Sequence, residues 1–209
     1  MNRLAILLVL VVALTPAVTA QSVHFGGHGN FTTSNIPGPT TAGASSIGDT
    51  YGLGIGGGAH LDINLLAFSF RFSGDYIHYS IDQDKFRDAY RPVFGSAVDQ
   101  MSIEGGGLGI YSLSVNGKMS ILPIPIVTPY ITGGIGLAWM NRDDATTKIA
   151  GATGNTIPGI STSGKTMLNI GAGADFKLGI QLFAEVKYAV IYTEGENSTF
   201  IPVTVGITF

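Results

Sequence analysis

Apolar and polar residues alternate singly along most of the chain. Phe68, Phe70, Phe72 and Tyr76 fall on one parity, and Ser69, Arg71, Ser73 and Asp75 on the other. A period of two sets successive side chains on opposite faces of an extended strand. The same rhythm sets Leu168, Ile170, Ala172, Ala174 and Phe176 against Asn169, Gly171, Gly173, Asp175 and Lys177. It predicts eight strands: 22–31, 50–63, 67–80, 107–119, 128–141, 166–178, 181–193 and 200–209. Residues 119–141 carry no charge, but Pro123, Pro125 and Pro129 lie among them, and prolines at that density break a helix. That stretch therefore reads as a strand end, a stiff turn and a new strand.

The connections sort by length. Short links fall near 64–66, 122–127 and 179–180, and long ones cover 32–49, 81–106 and 142–165, with 194–199 intermediate. Long and short alternate, so the long loops gather at one end of the sheet and the short turns at the other. This is the arrangement of a transmembrane barrel with short periplasmic turns and long extracellular loops. The expected fold is all-β, an eight-stranded antiparallel up-and-down transmembrane barrel. Tyr51, Tyr76, Trp139 and Tyr192 are expected in an interfacial band at the loop ends, with Phe68, Phe176 and Phe209 at the turn ends.

Composition supports a membrane solution. Charged residues make up 12% of the chain, about half the fraction usual for a soluble domain, and mean hydropathy is +0.34. A soluble barrel with an apolar ligand cavity is the competing reading, but it would turn Arg71, Asp175, Glu185 and Lys187 outward. The net charge of −3 gives no argument for a nucleic-acid partner, and the absence of cysteine excludes disulfides and thiol chemistry. At the N-terminus, Asn2 and Arg3 precede an apolar run from Leu4 to Leu14, and Val18-Thr19-Ala20 offers small residues for cleavage. Residues 1–20 are expected to be a signal peptide, leaving 21–209 as the barrel domain.

Three stretches carry a family resemblance: Thr128-Pro129-Tyr130-Ile131-Thr132-Gly133-Gly134-Ile135-Gly136, Phe183-Ala184-Glu185-Val186-Lys187-Tyr188, and Ile201 through Phe209. They resemble the outer membrane protein beta-barrel domain group, which includes the OmpA-like transmembrane domain and the small Ail/OmpX-type barrels. The resemblance implies a barrel in a Gram-negative outer membrane, in contact with lipid and lipopolysaccharide. A terminal Phe on an amphipathic strand also resembles the signal read by the barrel-assembly machinery, so Phe209 is expected to matter for insertion. A chain expected to stop at the barrel departs from full-length OmpA-type proteins, which continue into a peptidoglycan-binding domain.

An eight-stranded barrel has an interior just wide enough for side chains to fill. The residues opposite the apolar face then line the lumen: His24, His28, His60, Asp62, Arg71, Asp75, Asp175, Lys177, Glu185 and Lys187. The expected charge network comprises Arg71, Asp75, Asp175, Lys177, Glu185 and Lys187, with Asp175/Lys177 facing Glu185/Lys187 across one hairpin. Such a network is either a polar plug or a rearrangeable gate for a narrow pore. A metal site from His24, His28, His60 and Asp62 matches no ligand spacing. Gly52-x-Gly54-x-x-Gly57 precedes a strand rather than a helix, so it is no dinucleotide site, and no cofactor is expected. His78-Tyr79-Ser80 resembles the His-x-Ser of lipid A deacylases but lacks an identifiable acid. The expected function is structural or surface interaction through the long loops. The alternative is a salt-bridge-gated channel, and a lipid-modifying enzyme is the least favoured. Loops 36–46 and 149–164 are expected to be flexible, while 81–100 mixes charges with Phe86, Tyr90 and Phe94 as a candidate site for an extracellular ligand.

Overall fold

In this computed structural model the residues described are 22–36, 46–65, 68–122, 124, 126–149, 152–193 and 197–209. The expected signal peptide and most of loop 36–46 lie outside them. Twelve strands are present among the described residues: β1 Ser22–Asn35, β2 Gly54–Leu65, β3 Phe68–Tyr79, β4 Met101–Gly105, β5 Leu108–Ser120, β6 Val127–Arg142, β7 Ala145–Ile149, β8 Ala152–Ile157, β9 Ile160–Ser161, β10 Lys165–Lys177, β11 Gln181–Ile191 and β12 Ser198–Thr208. Eight of them, β1-β2-β3-β5-β6-β10-β11-β12, pair antiparallel with their neighbours. β12 returns to β1 in a register running from Gly26↔Thr208 to Asn35↔Thr199, which closes the barrel and leaves it no free edge. The eight predicted strands are these eight, with ends shifted by at most a few residues.

Closure fixes inside and outside by parity. Phe25, Leu113, Ile135, Ile170, Val186 and Ile201 point outward and are exposed, Ile170 at 66%. Asn116, opposite in parity to Leu113, is fully buried in the lumen. At the loop end, Tyr76 pairs in register with Tyr111 and Tyr111 with Trp139, and the two tyrosine rings stand 4.6 Å apart. This row is part of the expected aromatic band, and Tyr192 is also exposed. Tyr51 is not in that band. It is 5% exposed, packs on Tyr79, and donates its hydroxyl to Gly106 O at 3.1 Å. Burial pushes its phenol up to about 12. The long first loop carries Tyr51 inward before β2 begins, so counting back by twos along β2 misplaces it.

Two long loops fold together. Helix α1, Gln83–Phe94, starts at Asp82, whose carboxylate accepts from the amides of Asp84 and Lys85. Phe86 and Ala89 are its buried residues, and Phe86 packs with Val98, Met101, Ile103 and Ala145. The Gln83 side-chain amide donates to Ile103 O and accepts from Ile103 N, fixing the helix to β4. β4 pairs with β7 and β7 with β8 in a separate three-stranded sheet. Segment 149–164, expected to be flexible, instead supplies β8 and β9, and β9 extends β6 at Asn141 and Arg142. The loops thus form a small α+β cap over one mouth of the barrel.

Candidate functional site: the filled lumen

The lumen is stacked in layers, and the lowest, nearest the short turns, is charged. Arg71 on β3 grips Asp62 on β2 with two parallel bonds of 2.7 Å. Register places the two directly opposite, so a bidentate guanidinium–carboxylate pair forms without distortion. Lys118 on β5 stands 3.2 Å from Asp175 on β10 and 4.0 Å from Asp62, which joins the two pairs. Two rings complete the layer. The Arg71 guanidinium lies 4.0 Å over Phe183, and the Lys118 ammonium 4.1 Å over Tyr130. Each ring occupies space left by an inward glycine on a neighbouring strand. A Cβ at Gly206 would meet Phe183 at 2.4 Å, and one at Gly173 would meet Tyr130 at 2.6 Å. Small and large inward residues therefore alternate around the barrel so that a narrow lumen can hold aromatic rings.

The next layer is built from histidine and amide. His28 Nε2 is 2.6 Å from Asp75 Oδ1, and its Nδ1 is 3.2 Å from His60 Nδ1. His60 Nε2 is 3.0 Å from Thr208 Oγ1. Asn30 donates to Asp75 at 2.9 Å and accepts from the Thr204 hydroxyl at 2.7 Å. Beside this layer Lys187 Nζ stands 2.6 Å from Glu185 Oε1, along the same strand rather than across the hairpin. A cavity of about 60 Å³ borders Asp75, Asn169, Lys187 and Thr204 on one side and Ile110, Met167 and Phe200 on the other. That volume suits a few waters and falls far below the size of an organic ligand site.

Above the cavity the lumen turns apolar. Tyr79, Leu108, Ile110, Ala138, Ala189, Ile191 and Phe200 are buried together with Tyr51 and Ile36, and Ile77, Met140 and Met167 pack against them. The expectation of a polar lumen thus holds only for the half nearer the turns. Lys177 does not join the charge network. It is exposed at the turn-end mouth, beside a polar recess of about 200 Å³ lined by Asp62, Lys118 and Asp175. It makes no ion pair among the described residues. Asp175 pairs with Lys118 instead, because register sets Lys177 opposite Gln181, one pleat farther out. Lys118, Tyr130 and Phe183 were not among the expected site residues. Their parity was the available signal: Lys118 follows Ser112, Ser114 and Asn116 on one face, and Phe183 precedes Glu185 and Lys187.

The remaining candidates disperse. His24 bonds Phe209 O at 3.1 Å and stands apart from His28 and His60, and Asp62 is held by Arg71. Among the described residues no three His, Asp or Glu side chains gather as a metal site. His78 lies exposed on the outward face with no hydrogen-bond partner among the described residues. The inward glycines of β2 serve packing, since a Cβ at Gly54 would strike the Tyr79 ring at 2.4 Å. Phe209 continues the seam: its N–H donates to Phe25 O at 2.8 Å, Phe25 N–H returns to Phe209 O at 3.2 Å, and the two rings stand 5.8 Å apart on the outward side.

No protein-family model matches the chain, and no curated protein matches it. Solved structures do. Neisserial surface protein A aligns over 90% of this chain and 97% of that one at 12% identity, with a TM-score of 0.54. A major outer membrane protein from Thermus thermophilus aligns over 90% of this chain and 100% of that one, also at 12% identity, with a TM-score of 0.50. At such identity the likeness is one of fold: the chain is an eight-stranded antiparallel barrel of the kind found in small outer-membrane proteins.

Proposed function

We propose that the chain is an integral outer-membrane barrel of a Gram-negative bacterium that acts at the cell surface through its loop cap, with the barrel as a sealed anchor. The observation that carries this reading is the apolar layer across the loop end of the lumen, beneath a cap with its own core. An ion moving through the barrel would have to leave water and cross that layer, at a cost of several kcal/mol. The outward face is apolar around the whole circumference, which suits lipid and is wasteful in water. Residues 1–20 direct export, the cap faces outward among lipopolysaccharide, and Phe209 is read by the assembly machinery during insertion. The cap, with Val93, Phe94, Ile149 and Ile160 exposed, is the surface offered to an extracellular ligand. No part of this role requires an enzyme activity.

A gated channel is the second reading, favoured by the run of Asp62, Arg71, Lys118, Asp175, Glu185 and Lys187 through the lower lumen. Planar-bilayer recording separates the two. A sealed anchor shows no steady conductance, and Phe200→Gly with Ile191→Gly, which thins the apolar layer, creates one. Steady conductance in the unaltered protein would support the channel and remove the sealed-anchor reading.

A further inference from the structure

The run of bonded side chains in the middle lumen begins and ends on the last strand. From Thr204 on β12 it passes to Asn30 on β1, Asp75 on β3, His28 on β1, His60 on β2, and back to Thr208 on β12. It therefore straps the seam where the first and last strands meet, and two imidazoles form its central link. We propose that this strap is a proton-operated clasp, holding the barrel seam while the histidine pair carries at most one positive charge and releasing it when a second is added.

Counting protons gives the reason. His28 Nε2 faces a carboxylate and carries a hydrogen, since the 2.6 Å separation is that of a bond to Asp75. One proton fits between the two Nδ1 atoms at 3.2 Å, on either ring. His60 Nε2 can donate to the Thr208 hydroxyl or accept from it. The pair is thus fully bonded with total charge zero or plus one. A charge of plus two sets two N–H groups against each other, and the link is lost.

Charge balance agrees. The charged groups around the pair from the packed strands are Asp62, Arg71, Asp75 and Lys118, with Lys187 from β11, itself paired with Glu185. Arg71 is matched by Asp62, Lys118 by Asp175 and Lys187 by Glu185, which leaves Asp75 as the carboxylate whose ion-pair partner is an imidazole, with the neutral Asn30 amide beside it. One imidazolium neutralises the lumen; a second has no counter-ion. Nor can His60 move aside. It is 4% exposed, its ring meets Phe183 edge-on at 5.2 Å, and its space lies over Gly26, where a Cβ would come within 2.6 Å of the ring.

The sign follows by linkage. Free imidazoles in the unfolded chain each take a proton as pH falls through about 6.5, while the clasp accepts only one for the pair. The unfolded or seam-opened state then binds more protons, so stability falls with falling pH. The test uses the full folded protein in detergent, comparing amide exchange at about pH 7.5 and about pH 5 after correction for intrinsic exchange rates. Exchange of β12 amides is expected to accelerate about tenfold at the lower pH relative to those of β5 and β6. His60→Gln, which keeps a polar side chain but takes no proton, removes that difference, and His24→Gln leaves it intact. Ring-nitrogen NMR of the wild type is an independent readout, expected to show one proton shared by the pair at neutral pH and a second charge taken up only with the loss of β12 protection. Equal acceleration in all strands, a difference that survives in a folded His60→Gln, or a doubly charged pair with β12 still protected would overturn the proposal.

Discussion

A lysine enclosed in a barrel must have its charge answered from several sides. Asp175, Asp62 and the Tyr130 ring do this for Lys118, which is 5% exposed. Removing one member of such a set leaves an uncompensated buried charge, a loss on the order of 3–5 kcal/mol, whereas removing both partners often costs less. Lys118→Met is therefore expected to lower the unfolding midpoint of the detergent-folded barrel, and adding Asp175→Asn to restore part of it. A double-variant loss equal to the sum of the two single losses would mean that the two groups are not coupled. Lys187 and Glu185 should behave alike, since the Glu185 side chain is 1% exposed and its cation stands 2.6 Å away. Phe209 belongs to this scale too. Its ring lies against Phe25 on the outward side of the seam, so Phe209→Ala removes an outward-facing contact whose loss a folded barrel survives. The expected deficit is in insertion, with less protein in the membrane and more protease-sensitive periplasmic material; insertion at the wild-type level would contradict a signalling role.

At the scale of elements, the cap and the barrel have distinct cores, one around Phe86 and the other around Tyr79 and Phe200, with Ile81 packed against both. Phe86→Ala, a cost of about 3–5 kcal/mol in a small core, should melt the cap while the barrel stays folded. Protease would then cut within 81–106 and spare the strands, whereas barrel unfolding in parallel would show that the two cores are one. Asp82→Ala should act in the same direction by about 1 kcal/mol, through loss of the helix cap. The strands were legible in the sequence because closure turns one parity to the core and the other outward over ten or more residues. The cap was less so. Phe86, Ala89 and Val93 follow a helical spacing after Asp82, but Pro92 interrupts it; β4 alternates over only Met101–Glu104, and β7 and β8 are short and rich in threonine. Tyr51 and the apolar upper lumen were hidden for another reason. Ile77, Ile110, Met167, Ile191 and Phe200 are hydrophobic residues on the inward parity near strand ends, where a pattern read for lipid contact treats them as noise.

The whole molecule joins an apolar outer wall, a lumen filled in layers and a folded cap on one mouth. Orientation follows from the cap: a single cysteine at Ser96 should react with an impermeant thiol reagent on intact cells, and one at Asn64 should not, with the reverse pattern inverting the topology. Membrane insertion itself is tested most directly by fractionating cells and running the detergent-extracted protein on a gel with and without heating. An inserted barrel sediments with the outer membrane, resists extraction by alkaline carbonate, and migrates faster unheated than heated because the closed sheet persists in detergent. A protein that is released without detergent and shows one mobility whether heated or not would contradict membrane insertion.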